Sequence, residues 1–389
     1  MFLDILIFIA VLAVLVLVHE FGHYLVAKKS GMYVEEFGFG FPPRLFAWKK
    51  GETVWSVNLI PLGGFVKIAG EDNETGEGEK GKEKSEQNST ETDILIEKKE
   101  IEITTQGEIY EKDIFIEEKF FPNKEENFQG KFFNQKPFWQ RALVLMAGVI
   151  MNFIFGWILL AVVFGFGVEK SLLVLNVASD SPAEESGVMS GDKILDFSDV
   201  ESFVSFVSQN KGKEITFFIE RQGDKKEIKV IPRIEAPAGQ GATGVELGIS
   251  GVGKMPFFQA IWESLKSAAG MFVFIYVMLF KLIASIFTGG DLFSQVSGPI
   301  GIFKVTSQAA SWGFLSLLNL VALISINLAA INIFPFPALD GGRLVILTAE
   351  KVKGKPVSAS FQQIINGIGF ALLILLIIFI SIQDIRKFF

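Results

Sequence analysis

The sequence contains no cysteine and only two histidines among its 389 residues. The absence of cysteine excludes disulfide bonds and metal sites built from thiolates. Any imidazole chemistry is therefore restricted to His19 and His23. The net charge of −7 gives no basis for a general attraction to nucleic acid, and no nucleic-acid partner is expected. Half of the residues are hydrophobic and 40 are phenylalanine, more than one soluble core requires.

The apolar residues are clustered in runs that approach the about 20 residues needed to cross a bilayer. Four runs are predicted to span the membrane: Ile5–Ala27, Ala142–Gly165, Leu315–Phe334 and Ile364–Ile382. A fifth run, Ala268–Phe287, is sufficiently apolar but contains Lys281 and follows Glu263 and Lys266. It is predicted to be an interfacial or partly immersed helix.

Basic residues beside the spans predict their orientation, because lysine and arginine concentrate on the cytoplasmic side. They follow the first span, precede the second and follow the third: Lys28, Lys29, Lys131, Lys136, Arg141, Arg343, Lys351, Lys353 and Lys355. The N-terminus and the region between the second and third spans are therefore expected outside the cytoplasm. The first span has no basic residue before it and no small-residue cleavage pattern, so it is expected to be retained and not removed as a signal peptide.

The regions between the spans differ in character. Residues 31–70 alternate well enough for a membrane-associated β-hairpin, whereas residues 71–127 form a polar insert that is predicted to be partly disordered. The whole chain is divided into 1–30 (first span), 31–70, 71–127, 128–167 (amphipathic stretch and second span), 168–236 (a small domain), 237–312 (linker and interfacial helix), 313–350 (third span) and 351–389 (fourth span). The predicted fold class is an α-helical polytopic membrane protein with one extracytoplasmic α+β domain.

The stretch "VLVHEFGHYLV" places both histidines inside the first span. At a spacing of four residues on a helix, His19 and His23 point from nearly the same face and can share one metal ion, zinc being the usual occupant. Glu20 flanks that face and can act as general base on a water activated by the metal. A bare H-E-x-x-H pattern also arises by chance, and a position near the headgroups is the alternative interpretation. Ionisable groups inside a span, however, usually mark function.

A hydrolytic zinc site needs a third protein ligand, which here has to be a carboxylate. Asp340 is the best candidate, because Pro335 and Pro337 end the third span and Gly341 and Gly342 allow the backbone to fold closely. An ordinary helix N-cap is the alternative role for this aspartate. The flanking charges place it on the same side of the membrane as His23.

Several motifs occur in the order found in site-2 proteases, a family of intramembrane zinc metalloproteases. They are "HEFGH", "PLGGFVKIAGE", "FNQKPFWQRALVLMAGVIMNFIFG", "SGPIGI" and "NIFPFPALDGGRL". The sequence most resembles the bacterial regulator-of-sigma-E protease type, and the resemblance covers most of the chain. In addition, "SPAEESGVMSGDKILDF" resembles part of bacterial PDZ domains, which makes 168–236 a PDZ-like domain. It departs from that pattern at "DFSDVESFV", where an Asp/Asn-Gly turn is usual.

The resemblance implies that His19, His23 and Asp340 bind Zn²⁺ and that Glu20 is the catalytic base. It implies a multi-pass protein of the bacterial inner membrane, with its zinc site toward the cytoplasm. Its substrates would be single-span membrane proteins, such as an anti-sigma factor or remnant signal peptides, cleaved within or beside the transmembrane segment. A peptide tail would bind the PDZ-like domain, and the lipid bilayer is the other partner.

Substrate contacts form a further prediction. The resemblance implies that Asn327 and Asn332 contact the substrate backbone. Because unwinding a helix in lipid leaves its peptide groups unpaired, we also predict that the scissile segment is added as a strand to the hairpin at Val54, Ser56 and Asn58. The competing hypothesis is a non-catalytic zinc-binding scaffold that presents the PDZ module, although such a scaffold has no need of Glu20.

Overall fold

The computed structural model describes residues 2–71, 131–221, 223–237, 239–288 and 296–388. Apart from Glu71, the predicted insert 71–127 lies outside the described residues. The helices are α1 Phe2–Lys29, α2 Phe138–Phe166, α3 Pro182–Glu185, α4 Val200–Gln209, α5 Phe257–Thr288, α6 Pro299–Ser311, α7 Phe314–Asn332, α8 Asp340–Lys353 and α9 Ala359–Phe388. The strands are β1 Val34–Lys50, β2 Thr53–Ile68, β3 Val168–Val177, β4 Lys193–Ile194, β5 Ile215–Arg221, β6 Asp224–Val230 and β7 Val245–Val252.

Five helices are long and apolar enough to cross a membrane: α1, α2, α5, α7 and α9. The protein is therefore a multi-pass helical membrane protein with additional β-sheet. Four of these helices coincide with the predicted spans. The fifth, α5, contains the run for which an interfacial helix was predicted, and by length and composition it qualifies as a span from Phe257 to Ser285.

Helices α1, α2 and α7 form the centre of the bundle. The N-terminal half of α2 lies beside the C-terminal half of α1, so the two helices are antiparallel, and α7 runs antiparallel to α2. Small residues permit these close approaches: a methyl group on Gly22 would lie 2.4 Å from Ala147 O, and one on Gly156 would lie 2.9 Å from Ala322 O. Such small-residue contacts are the usual means of packing helices in lipid.

The segment before α5, at Met255, and helix α6 after it lie at the same end of this bundle, whereas Tyr276 and Phe280 of α5 contact Phe334 beyond the C-terminal end of α7. At its start, Met255 donates its N–H to Phe164 O at the C-terminal end of α2. After it, α6 packs on the N-terminal half of α1, where the rings of Phe8 and Phe303 are 5.6 Å apart, and α7 begins directly afterwards. The C-terminal end of α9 is at this end too, since Asp384 accepts the N–H groups of Gly298 and Gly301 at α6.

The predicted hairpin is more folded than a simple pair of strands. Both β1 and β2 bend, so that Glu36 to Phe39 pair with Val54 to Val57 on one side and with Gly64 to Lys67 on the other. The segment Val54 to Val57 pairs in addition with Phe46 to Lys49. Among the described residues, the outer segments of this sheet are therefore 44–50 and 64–68. Salt bridges from Lys28 and Lys131 anchor the turn and lower the pKa of Glu52.

The small domain contains a five-stranded sheet in the order β6-β5-β4-β3-β7. Its core includes Leu172, Ile194, Phe203 from α4, Phe217 and Ile219. Strand β7 pairs with β3 along the edge, although residues 245–252 fall in the segment predicted to be a linker. The sheet domain therefore extends past residue 236, and sequence periodicity missed its last strand.

Candidate metal centre

His19 and His23 lie on consecutive turns of α1 and face the same point. Their Nε2 atoms are 3.2 Å apart, and both side chains are mostly buried. The helix continues without a break from Phe2 to Lys29, because leucine, valine and isoleucine supply an apolar surface all round. The i, i+4 spacing thus produces the shared face that the sequence predicted.

Asp340 reaches the same point from the opposite end of the chain. Its Oδ2 lies 3.0 Å from His19 Nε2 and 3.4 Å from His23 Nε2. Helix α7 ends at Asn332, and the chain folds back over the first turn of α8. Only glycine fits there: a methyl group on Gly341 would lie 2.2 Å from Ile333 O, and one on Gly342 would lie 2.2 Å from Phe336 O.

The three donor atoms fit a zinc ion. Zinc binds nitrogen and oxygen ligands at about 2.0–2.2 Å, and neighbouring corners of such a tetrahedron are about 3.3 Å apart. The observed separations of 3.0, 3.2 and 3.4 Å match those edges. Asp340 Oδ2 is buried and accepts no hydrogen bond within the described part of the chain, which costs free energy unless a cation satisfies it.

Space for the imidazole rings comes from Gly148 on α2. A methyl group there would lie 2.4 Å from His23 Nε2 and 2.7 Å from His19 Nε2. Alanine at this position would therefore overlap the nitrogen atoms that face Asp340. The role of Gly148 was not predicted from the sequence, since only the packing of α2 on α1 reveals it.

Two further groups of α2 contact the outer nitrogen atoms of the histidines. His23 Nδ1 lies 2.8 Å from Val144 O, to which it donates when its proton is on Nδ1. His19 Nδ1 lies 3.3 Å from the side-chain amide of Asn152. Contacts of this kind orient metal-binding histidines. Asn152 was missed by sequence reasoning, although an asparagine within an apolar helix is a signal that could have identified it.

Glu20 lies between the histidines and the sheet. A methyl group on Gly64 would lie 3.2 Å from Glu20 Cγ, so the outer segment of β2 passes directly beside this side chain. The sheet edge 64–68 and the predicted base are therefore neighbours.

The two predicted asparagines differ in position. Asn332, the last residue of α7, has its Nδ2 atom 3.5 Å from His19 Nε2. Asn327 is exposed on the same helix, more than one turn earlier. The structure thus brings Asn332, but not Asn327, into contact with a histidine of the centre.

The predicted strand-addition site at Val54, Ser56 and Asn58 requires correction. Val54 and Ser56 lie in an inner segment of the sheet with partners on both sides, Asn58 pairs with Arg44, and all three are buried. Asn58 instead donates to Gly40 O and holds the bend of β1. A substrate strand cannot pair where the backbone is already paired, so the sequence placed the free edge in the wrong half of β2.

Comparison with known proteins gives a decisive result. The model of peptidase family M50 matches residues 7–376. The chain belongs to peptidase family M50. A curated relative in this group, zinc metalloprotease RasP of Shouchella clausii (strain KSM-K16), is 35% identical over 98% of both chains. RasP of Oceanobacillus iheyensis (strain DSM 14371) is 34% identical over 98% of both chains, and RasP of Geobacillus kaustophilus (strain HTA426) is 32% identical over 98% of this chain and 97% of its own.

Membership of family M50 confirms the predicted resemblance to site-2 proteases and the predictions of a peptidase and a zinc cofactor. The M50 match runs from residue 7 in α1 to residue 376 in α9, so it includes all three donor residues.

Proposed function

We propose that this protein is an intramembrane zinc protease that hydrolyses peptide bonds within or next to the transmembrane segment of single-span membrane proteins. The main support for this proposal is that His19, His23 and Asp340 converge on one point, with Glu20 beside it, among helices apolar enough to cross a membrane. The relatives that match this chain along almost their whole length are named zinc metalloproteases, which supports the same activity.

In the proposed reaction, His19, His23 and Asp340 hold Zn²⁺. When bound, zinc supplies a Lewis acid that polarises the scissile carbonyl and makes water acidic enough to react near neutral pH. Glu20 accepts the proton of the attacking water and delivers it to the leaving amine nitrogen as the C–N bond breaks. Asn332 is positioned to donate a hydrogen bond from its amide to the substrate backbone beside the reacting carbonyl.

The substrate segment has to be extended, because a helix hides its peptide bonds in internal hydrogen bonds. We assign strand addition to the outer side of β2 at Val66, where the described residues provide no second strand, in place of the inner segment 54–58. Ala69 donates its N–H to Tyr33 O, and hydrogen-bonding direction alternates along a strand. The N–H of Val66 therefore faces away from β1, available to a substrate strand that passes Glu20.

The proposed topology has four spans, with the N-terminus and the sheet domain outside the cytoplasm. Met255 before α5 and Phe303 after it lie at one end of the bundle, which favours a helix without a net crossing, although Tyr276 and Phe280 of α5 contact Phe334 beyond the end of α7. Helix α5 is accordingly assigned as partly immersed beside α2 and α7. The flanking lysines and arginines of α1, α2 and α8 then face the cytoplasm.

We further propose that the sheet domain is a PDZ-like module that restricts access by bulky substrates or reads a substrate tail. Its entry and exit are adjacent, because Met255 N–H bonds to Phe164 O. The module is thus an insertion between α2 and α5, with bounds of 168–252 instead of 168–236.

The test of the proposed function is Glu20→Gln in the full chain, reconstituted in liposomes with a tagged single-span substrate. We expect cleavage to fall by about 10²–10⁴-fold, because general base catalysis contributes roughly that factor, while zinc content measured by mass spectrometry stays at one ion per chain. Exposed Glu201→Gln in α4 is the matched control and should leave cleavage unchanged.

The same experiment tests the competing hypothesis of a non-catalytic zinc-binding scaffold. A scaffold predicts that wild-type protein binds zinc but cleaves nothing, and that Glu20→Gln changes neither property. Cleavage by wild type that persists undiminished in Glu20→Gln would overturn the role of this residue as the base.

A further inference from the structure

The side chain of Asn152 is fully buried in α2 at the level of the two histidines. Val144, Gly148 and Asn152 are spaced by four residues, so they form one ridge of this helix. Val144 offers its carbonyl to His23, Gly148 leaves room for both rings, and Asn152 lies against His19. One helix face therefore contacts both histidines.

Metal binding requires a particular tautomer of each histidine, and this tautomer shows that the face of α2 has to supply hydrogen-bond acceptors. A ring nitrogen that binds a metal carries a lone pair, so the other nitrogen of a neutral ring carries the proton and is a donor. Both Nε2 atoms face Asp340, which makes each Nδ1 the donor. His23 Nδ1 has its acceptor in Val144 O at 2.8 Å.

His19 Nδ1 instead lies 3.3 Å from Asn152 Nδ2, so that two hydrogen-bond donors face each other. Asn152 Oδ1 is buried and has no hydrogen-bond partner among the described residues. A half-turn of the amide exchanges two groups of nearly the same shape and pairs Asn152 Oδ1 with the Nδ1–H of His19. The helix position is fixed independently, since Ser325 Oγ donates to Asn152 O at 2.8 Å.

We propose that Asn152 is a positioning residue whose Oδ1 accepts the Nδ1–H of His19, which keeps the Nε2 lone pair of that ring directed at the metal. This inference rests on the proposed zinc site, but not on proteolysis. It gives each histidine its own acceptor on α2, a backbone carbonyl for one and a side-chain amide for the other. Asn152 touches neither metal nor substrate and acts only through His19.

Zinc affinity of the full-length, detergent-solubilised protein tests the proposal, by competition with a chromophoric chelator. Asn152→Leu keeps similar volume without an acceptor, and we expect zinc affinity to fall by about 10–100-fold, as for other contacts that orient a metal ligand. Asn152→Asp keeps acceptor oxygens and removes the donor, so its affinity should stay within a few fold of wild type. Asn319→Leu, on α7, is the control and should bind zinc like wild type.

The outcomes separate the alternatives. Undiminished zinc affinity in Asn152→Leu overturns the proposal, and so does an equal loss in the Leu and Asp variants, because that would indicate a donor or a packing role. If the Asp variant does not give a monodisperse protein, the Leu variant decides alone, with its melting temperature reporting on packing. A wild type that binds zinc without cleaving substrate would refute the proposed function and leave this measurement intact.

Discussion

Two aspartates at opposite ends of the helix bundle, each with a buried carboxylate oxygen, show how differently a carboxylate can be accommodated in a membrane protein. At the α6 end, Asp384 Oδ2 accepts hydrogen bonds from Gly298 N–H at 2.9 Å and Gly301 N–H at 2.8 Å. At the metal end, Asp340 Oδ2 has two imidazole nitrogens nearby and no hydrogen bond within the described chain. The first carboxylate is satisfied by its own fold, whereas the second is complete only with a cation.

The comparison teaches that burial alone does not identify a functional carboxylate. Backbone N–H groups at the start of α6 favour the negative charge of Asp384, as at any helix N-terminus. Asp340 also lies in the first turn of a helix, α8, yet its Oδ2 is directed at the histidines. The two aspartates differ in role because the groups that surround their carboxylates differ.

Among the substitutions considered, that of Asp340 should have the largest effect on the metal site. Asp340→Ala removes one of three donor atoms, and we expect zinc content to fall below stoichiometric and cleavage to fall below detection. Because no fold-defining hydrogen bond of Oδ2 is lost, the melting temperature of the metal-free protein should change little. Atomic absorption and a thermal melt measure the two effects, and a zinc-replete, active variant would contradict the assignment.

Val66→Pro tests the metal end without touching a ligand. Proline removes the N–H that faces away from β1, so we expect cleavage of a single-span substrate to fall about 10-fold or more while zinc stays bound, since a hydrogen bond lost at the reacting segment costs about 1–2 kcal/mol. Val66→Ala is the matched control, because it shortens the side chain and keeps the N–H. Equal cleavage by the two variants would rule out strand addition at this position.

Asp384→Asn should lower stability and leave zinc binding unchanged, which is the opposite of the effect expected for Asp340→Ala. It weakens two charge-assisted hydrogen bonds and is expected to lower stability by about 1–3 kcal/mol, seen as a lower melting temperature. Zinc affinity should remain at the wild-type value, because the residue is at the other end of the bundle. A loss of zinc in this variant would show that the two ends are energetically coupled.

The smallest expected effect comes from replacing residues 168–252 with a short glycine-serine linker. The module contacts the α6 end through Gln308 Nε2, which donates to Gly191 O at 3.1 Å, and lies away from the zinc ligands. We expect cleavage of a minimal transmembrane substrate to stay within about 10-fold, while discrimination against substrates with bulky extracytoplasmic parts is lost. Complete inactivity of a well-folded deletion would contradict a purely selective role.

The sequence predicted those parts of the site that depend on local spacing. His19 and His23 follow from helical periodicity, and Asp340 follows from the proline and glycine residues around it. The sheet was predicted less well, since the bends of β1 and β2 bury Ser56 and Asn58 through pairing between distant segments. Asn152 and strand β7 were missed because their roles depend on which helix or strand packs beside them.

The position of Asp340 near the far end of the chain has a consequence for biosynthesis. Helix α1 carries both histidines, but the third proposed zinc ligand emerges only after α7 has been made. Until then the nascent chain holds an incomplete site, which cannot carry out the proposed hydrolysis during insertion. The order of residues along the chain therefore delays hydrolytic competence until the bundle is nearly assembled.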